Sequence, residues 1–214
     1  MKRTCVLALL VALGCQRPGG VPVPDVDTAR STNGEVAFVR PTPQHIISTS
    51  LGQEQATELW IASSDGSNAR RLVTGARSDS VPLILADLSS PSFSPDGKRV
   101  YFLSSAWVTS KAVHAVDVAS GREWYIAPGN TLEVIPRGEF AGCLLVAQHR
   151  YSAESGGSYD WVWVLTPNGR QLMKASDDSE DAERQLAEWK RVNVPSDAKT
   201  GGTRPKSRAD CLAN

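Results

Sequence analysis

Three times along this chain an apolar, strand-like run ends in a short turn containing glycine, and a further short run beginning with arginine comes after it. The turns are Ser64-Asp65-Gly66, Ala119-Ser120-Gly121 and Thr166-Pro167-Asn168-Gly169, and the new runs start at Arg70, Arg122 and Arg170. Each unit also contains a glycine followed by an apolar run: Gly34-Glu35-Val36-Ala37-Phe38, Gly97-Lys98-Arg99-Val100-Tyr101 and Gly142-Cys143-Leu144-Leu145-Val146. Glycine supplies the positive φ that reverses a chain tightly, and alternating runs place one face in a core, so the pattern confines residues 35–174 to antiparallel hairpins. The turn glycines 66, 121 and 169 are spaced by roughly 50 residues, near the length of one four-stranded propeller blade.

The strongest turn is Ser94-Pro95-Asp96-Gly97, in which proline presets φ, aspartate caps the turn and glycine takes the left-handed position. The run that contains it, Phe93-Ser94-Pro95-Asp96-Gly97-Lys98-Arg99-Val100-Tyr101-Phe102, joined to Ala115-Val116-Asp117-Val118-Ala119-Ser120-Gly121, resembles the TolB-like β-propeller repeat. Residues 91–127 carry the full match. The units at 35–73 and 133–174 match more loosely: the first lacks the Ser-Pro-Asp-Gly turn, and the second has Pro136-Arg137-Gly138-Glu139 in its place. The expected fold is all-β and β-propeller-like, with about three four-stranded blades and at most a fragment of a fourth at 81–88. Closed propellers use about four to eight blades. An incomplete set therefore calls for capping or for self-association.

Composition changes on either side of this body. Residues 15–34 hold Pro18, Gly19, Gly20, Pro22, Pro24 and Gly34 without strand or helix period and read as a flexible tether. Asp177, Asp178, Glu180 and Asp181 load one end of the next segment, Lys190 and Arg191 load the other, and Ala182, Leu186 and Trp189 fall at helical spacing. One C-terminal amphipathic helix is expected within 175–194, with Leu186 and Trp189 as its capping face. Residues 195–214 are polar and rich in Gly and Pro, reading as a mobile tail.

The start of the chain bears on location. Met1-Lys2-Arg3 is basic, and nine apolar residues run from Cys5 to Leu13. As a helix they would reach about 14 Å, half of what a hydrocarbon layer of about 30 Å requires. Ala12-Leu13-Gly14-Cys15 resembles a bacterial lipobox, with a small residue before the cysteine that accepts the lipid. Residues 1–14 are thus expected to be a lipoprotein signal peptide and Cys15 the lipidation (palmitate-bearing) site. Gln16 in the next position resembles sorting to the outer membrane, facing the periplasm. In that oxidising compartment Cys143 and Cys211 form an even pair, and a disulfide between them is expected.

The 23 Lys and Arg balance the 23 Asp and Glu, which excludes a nucleic-acid binder working by bulk charge. There is no GxSxG elbow for a serine hydrolase. Ser196-Asp197-Ala198-Lys199 and Lys199-Thr200-Gly201 match penicillin-recognising signatures, but both use the same lysine, whereas one acyl site needs them on separate elements. The histidines His45, His114 and His149 form no HExxH motif, so no metal site, cofactor or catalytic residue is assigned. Trp60, Trp107, Trp124, Trp161 and Trp163 are candidates for an aromatic binding surface, against the alternative of packing between blades.

The resemblance implies a non-catalytic protein-interaction module at the cell envelope with an envelope protein as partner. Two alternatives stay open: an accessory or sensor propeller for a separately encoded hydrolase, and a carbohydrate-binding module using the tryptophans.

Overall fold

The structure is a computed structural model and describes residues 22–24, 27–49, 52–152, 156–194 and 211. It is an all-β, propeller-like fold of three four-stranded antiparallel sheets with one C-terminal helix. The first sheet holds β1 (Thr28–Arg30), β2 (Glu35–Thr49), β3 (Gly52–Ser63) and β4 (Arg70–Thr74). The second holds β5 (Ser89–Phe93), β6 (Arg99–Ser105), β7 (Lys111–Asp117) and β8 (Glu123–Pro128). In the third are β9 (Glu133–Val134), β10 (Leu144–Ser152), β11 (Gly157–Leu165) and β12 (Gln171–Ser176), succeeded by α1 (Ala182–Asn193). Within each sheet the strands are neighbours in chain order, so each is a simple up-and-down meander.

Period-two alternation explains how the sheets stack. In β6, Val100 and Phe102 join Ala37, Leu59 and Ile61 of the first sheet in one core cluster. Tyr101 and Leu103, pointing the other way, join Leu144, Val146 and Leu165 of the third. The middle sheet is consequently buried on both faces, which is why β6 and β7 read as nearly unbroken apolar runs.

Both outer faces of the stack are also covered. Behind the third sheet, Leu186 and Trp189 of α1 pack with Ile135, Phe140, Leu145 and Val164, and Trp189 meets Phe140 at 5.7 Å between ring centroids. Lys190 holds the helix to β9 through Glu133 at 2.5 Å. On the far side of the first sheet, Val36 and Phe38 are fully buried, with Val23 and Trp60 packed against them. The helical cap through Leu186 and Trp189 is thus formed.

Several details differ from the expectations set by the residues. Thr28–Arg30 falls inside the segment read as a tether, yet it pairs with β2 through Thr28↔Phe38, Ala29↔Ala37 and Arg30↔Val36. Three residues are too few to show a period, and the strand exists because β2 offers it an edge. No blade fragment forms at 81–88: Val81–Leu83 is a 3-10 turn with proline in its first turn, and a single bridge joins Ala76 to Leu85. The helix begins after Asp181 rather than at Asp177, because the Asp177 carboxylate accepts the Ser179 amide at 3.1 Å and the Gln185 side-chain amide at 2.9 Å, forming a turn before the first helical residue. The β2–β3 hairpin is longer than the repeat alone suggests; its pairing lapses after Pro41 and resumes at Ile46↔Gln55, as a residue without an N–H requires.

Candidate functional site

The core between the second and third sheets runs out toward the turns of those sheets and leaves a groove of about 660 Å³. Arg99 and Asp117 are paired across β6 and β7, and Trp124 on β8 pairs with Ala115. All three lie on the face that carries Tyr101, Ala115 and Ile126 into the core, so the groove is the polar continuation of an apolar interface. Ser120 and Arg122 come from the β7–β8 turn, and Pro167 and Asn168 form the opposite wall from the β11–β12 turn.

That opposite wall is set by Gly169. Its φ is +86°, and a Cβ there would overlap the carbonyl oxygen of Ile126 on β8. Glycine lets the turn of the third sheet lie directly on the second sheet's outer strand. The turn is also closed from within, since Thr166 donates its hydroxyl to Asn168 and accepts the Arg170 amide at 3.0 Å.

Two guanidinium groups share the groove with one indole. Arg99 lies 5.9 Å and Arg122 5.6 Å from the Trp124 ring centroid, within reach of cation–π attraction. Neither arginine has a carboxylate within 4 Å among the described residues, though the Arg99 charge acts on Asp117, its neighbour across the strands, and on Asp96. Asp117 is the single acidic group in the lining. Its carboxylate accepts the Ser120 hydroxyl and amide, each at 2.7 Å, and these bonds hold its pKa below the usual aspartate range. Asp117 thus stays ionised, and the lining carries two positive charges against one negative.

A second polar pair, His114 and Glu123, is closed to ligands. Nδ1 of His114 lies 2.5 Å from Glu123 Oε1, and the histidine is 0% exposed, stacked on Phe102 at 5.4 Å and edge-on to Tyr125 at 5.8 Å. His114 is a packed core residue. His149 lies 3.0 Å from Asp160 on the β10–β11 hairpin. Among the described residues, no group of three or more His, Cys, Asp or Glu side chains could hold a metal ion.

The five candidate tryptophans do not form one surface. Trp60 donates to Glu58 at 3.0 Å and packs behind the first sheet with Arg40 over its ring. Trp107 sits in the β6–β7 turn, where its amide donates to the Ser110 carbonyl at 2.8 Å. Trp124 lines the groove. Trp161 and Trp163 share one face of β11 with Tyr159, at centroid distances of 4.1 Å and 5.8 Å along the ladder. Trp163 packs against the core between sheets, while Lys174 sits 4.0 Å from the Trp161 centroid and Asp178 accepts its indole N–H at 3.0 Å. The ladder's rings therefore already meet protein groups.

Cys143 and Cys211 are disulfide-bonded, with Cα atoms 5.1 Å apart, and both are buried against α1 and the third sheet. Residues 1–14, Cys15 and the 195–210 segment lie outside the described residues. Sequence reasoning picked out Trp124 and missed Arg99, Arg122 and Asn168 as its neighbours. The arginines recurring after each turn, at 70, 122 and 170, did not signal this grouping, since Arg70 lies within β4 opposite Ile61 while Arg122 precedes β8.

No family model matches the chain, and no curated protein matches it. Solved structures similar to it include the β-propeller domain of the trilobed protease from Pyrococcus furiosus, at 14% identity and TM-score 0.44, covering 72% of this chain and 42% of that one. Pyrococcus horikoshii acylaminoacyl peptidase aligns at 15% identity and TM-score 0.46, over 72% of this chain and 25% of its own. TolB from Acinetobacter baumannii aligns at 15% identity and TM-score 0.41, over 72% of this chain and 34% of its own. The chain spans less than half the length of each. The fold rests on its own topology: three four-stranded meanders stacked face to face, a propeller-like body closed behind its third blade by a helix.

Proposed function

We propose that this chain is a non-catalytic protein-interaction module, lipid-anchored through Cys15 at the cell envelope on the periplasmic side of the outer membrane. The observation that carries the reading is the groove between the second and third sheets, where Arg99 and Arg122 flank Trp124 without an ion pair of their own. An indole beside two guanidinium groups is the kind of surface that dominates protein interfaces, because each side chain combines area with directional polarity. The reading is non-catalytic because the groove offers mainly guanidinium, indole and amide groups, which bind and orient, while its one carboxylate, Asp117, and the Ser120 hydroxyl are bonded to each other and His114 is sealed in the core. Anchoring follows from the lipobox resemblance around Cys15, and the interaction role from the TolB-like repeat that residues 91–127 resemble.

The test places a photo-crosslinking amino acid at Asn168, on the groove wall, in the full chain expressed in a bacterial envelope. A discrete crosslinked envelope protein, lost when a crosslinker is placed instead at exposed Val108, supports the reading. Absence of any crosslink at Asn168 counts against it. For the anchor, Cys15→Ala should move the protein out of the membrane fraction and abolish fatty-acid labelling; unchanged labelling refutes it.

A further inference from the structure

The first two sheets meet their following sheet differently at one register position, the last-strand residue opposite Ile61 in the first sheet and opposite Ala115 in the second, which is Arg70 in one and Trp124 in the other. Arg70 of the first sheet donates to the Val118 carbonyl in the β7–β8 turn, so that its guanidinium helps hold the first sheet to the second. At the equivalent position one sheet on stands Trp124, opposite Ala115, with Arg122 of the preceding turn 5.6 Å from its ring centroid and the Pro167–Asn168 wall across the groove. One junction is thus bridged by an arginine, and the next holds an indole at that position and leaves a groove that Arg122 lines.

Resting on the reading of the groove as an interaction site, we propose that it binds acidic peptide segments, taking one side-chain carboxylate between Arg99 and Arg122. The sign of the charge fits this class, since the lining holds two guanidinium groups against one ionised aspartate, while Asp96 outside it shares the Arg99 charge. A phosphate dianion would bring twice the negative charge of a carboxylate toward Asp117. Arginine also suits a carboxylate geometrically, through a planar fork of N–H donors, and Trp124 keeps both forks over one ring instead of letting them range through solvent. The remaining lining groups match a peptide backbone. Asn168 already accepts the Thr166 hydroxyl on its Oδ1, which leaves its amide to donate to a peptide carbonyl. The Asp117 carboxylate offers an acceptor for a peptide N–H. A groove of about 660 Å³ lies within the size range of sites that hold a few residues.

The experiment uses the full mature chain and fluorescence anisotropy with a fluorescein-labelled Gly-Ser-Leu-Glu-Ala-Gly peptide and its Gln counterpart. The Glu peptide should bind saturably and more weakly as salt rises, and the Gln peptide should bind at least about tenfold more weakly, because a charge-assisted bond to arginine is lost. Arg99→Ala and Arg122→Ala should each weaken binding about tenfold. Arg122→Lys should fall between, and Arg70→Ala should leave peptide binding unchanged. Unchanged urea midpoints for the groove variants confirm that they fold. Equal binding of the two peptides overturns the proposal, as does retained binding in the double variant. Displacement of the peptide by inorganic phosphate at lower concentration than by acetate would make this a general anion site and equally overturns it. If Asn168 crosslinks an envelope protein while the Glu peptide fails to bind, the ligand class is wrong and the interaction reading stands; if both fail, both fall.

Discussion

Cys143, just before β10, and Cys211, 68 residues later, close a disulfide whose Cα atoms are 5.1 Å apart, behind the same sheet that α1 covers. The bond ties the C-terminal segment to the cluster containing Trp189, so the cap on the third sheet is both packed and covalently held. A crosslink of this loop length restricts the unfolded chain by about 4 kcal/mol on the chain-entropy model. Urea unfolding with and without a reductant should show a lower midpoint on reduction, and mass spectrometry of protein produced in an oxidising compartment and kept non-reduced should find no alkylatable thiol at either cysteine. Two free thiols would remove the bond from the account.

Gly169 is the position where a single methyl group should do most harm. Gly34 has the same φ of +86° but nothing within 4 Å of an added Cβ, so Gly34→Ala tests backbone strain alone, about 1 kcal/mol. Gly169→Ala adds the overlap with Ile126 and should cost clearly more, about 2–4 kcal/mol, while moving the Pro167–Asn168 wall. Equal losses of stability in the two variants would show that the turn does not press on β8.

Removing the cap is a third test. Trp189→Ala should destabilise by about 3–5 kcal/mol, the range for a buried aromatic side chain, because it empties the space against Phe140. Hydrogen exchange should rise across 182–193 and in β12 before it rises in β6 or β7, which are buried between two sheets. Val192→Ala, on the exposed side of the same helix, should change stability by less than about 0.5 kcal/mol.

Acid should loosen the turns before neutral pH does. Burial alone would raise the Asp96 carboxyl, but the Ser94 hydroxyl, the Lys98 amide and the charges of Lys98 and Arg99 outweigh it and hold the pKa below the ordinary value. At Asp117 the hydrogen bonds from Ser120 do the same. A carboxylate depressed in the folded state contributes stability that is complete above its unfolded pKa, about 3.9, and is lost as pH falls through the lower folded value. Unfolding midpoints measured from pH 6 to pH 2 should therefore drop chiefly below about pH 4. Asp96→Asn with Asp117→Asn should flatten that drop; an unchanged slope would mean these turns contribute nothing to acid stability.

What could be read from the residues alone is the local grammar of this protein. Ser94-Pro95-Asp96-Gly97 and Thr166-Pro167-Asn168-Gly169 close turns with Gly97 at φ +71° and Gly169 at φ +86°, because proline, a capping carboxylate or amide, and glycine each act over a few residues and need no distant partner. The same holds for the apolar stripe that places Leu186 and Trp189 on one side of α1, whereas the burial of β6 on both faces comes from the sheets on either side of it. Other features arise only when distant segments meet. Thr28–Arg30 and Glu133–Val134 are strands because β2 and β10 present edges to them, since segments of three and two residues carry no period of their own. The groove is legible only in three dimensions: Arg99, Arg122, Trp124 and Asn168 come from strands and turns of two sheets, and Arg70 grips Val118 at the register position where the next sheet places Trp124 beside an open groove, a difference set by how closely one sheet settles on the next.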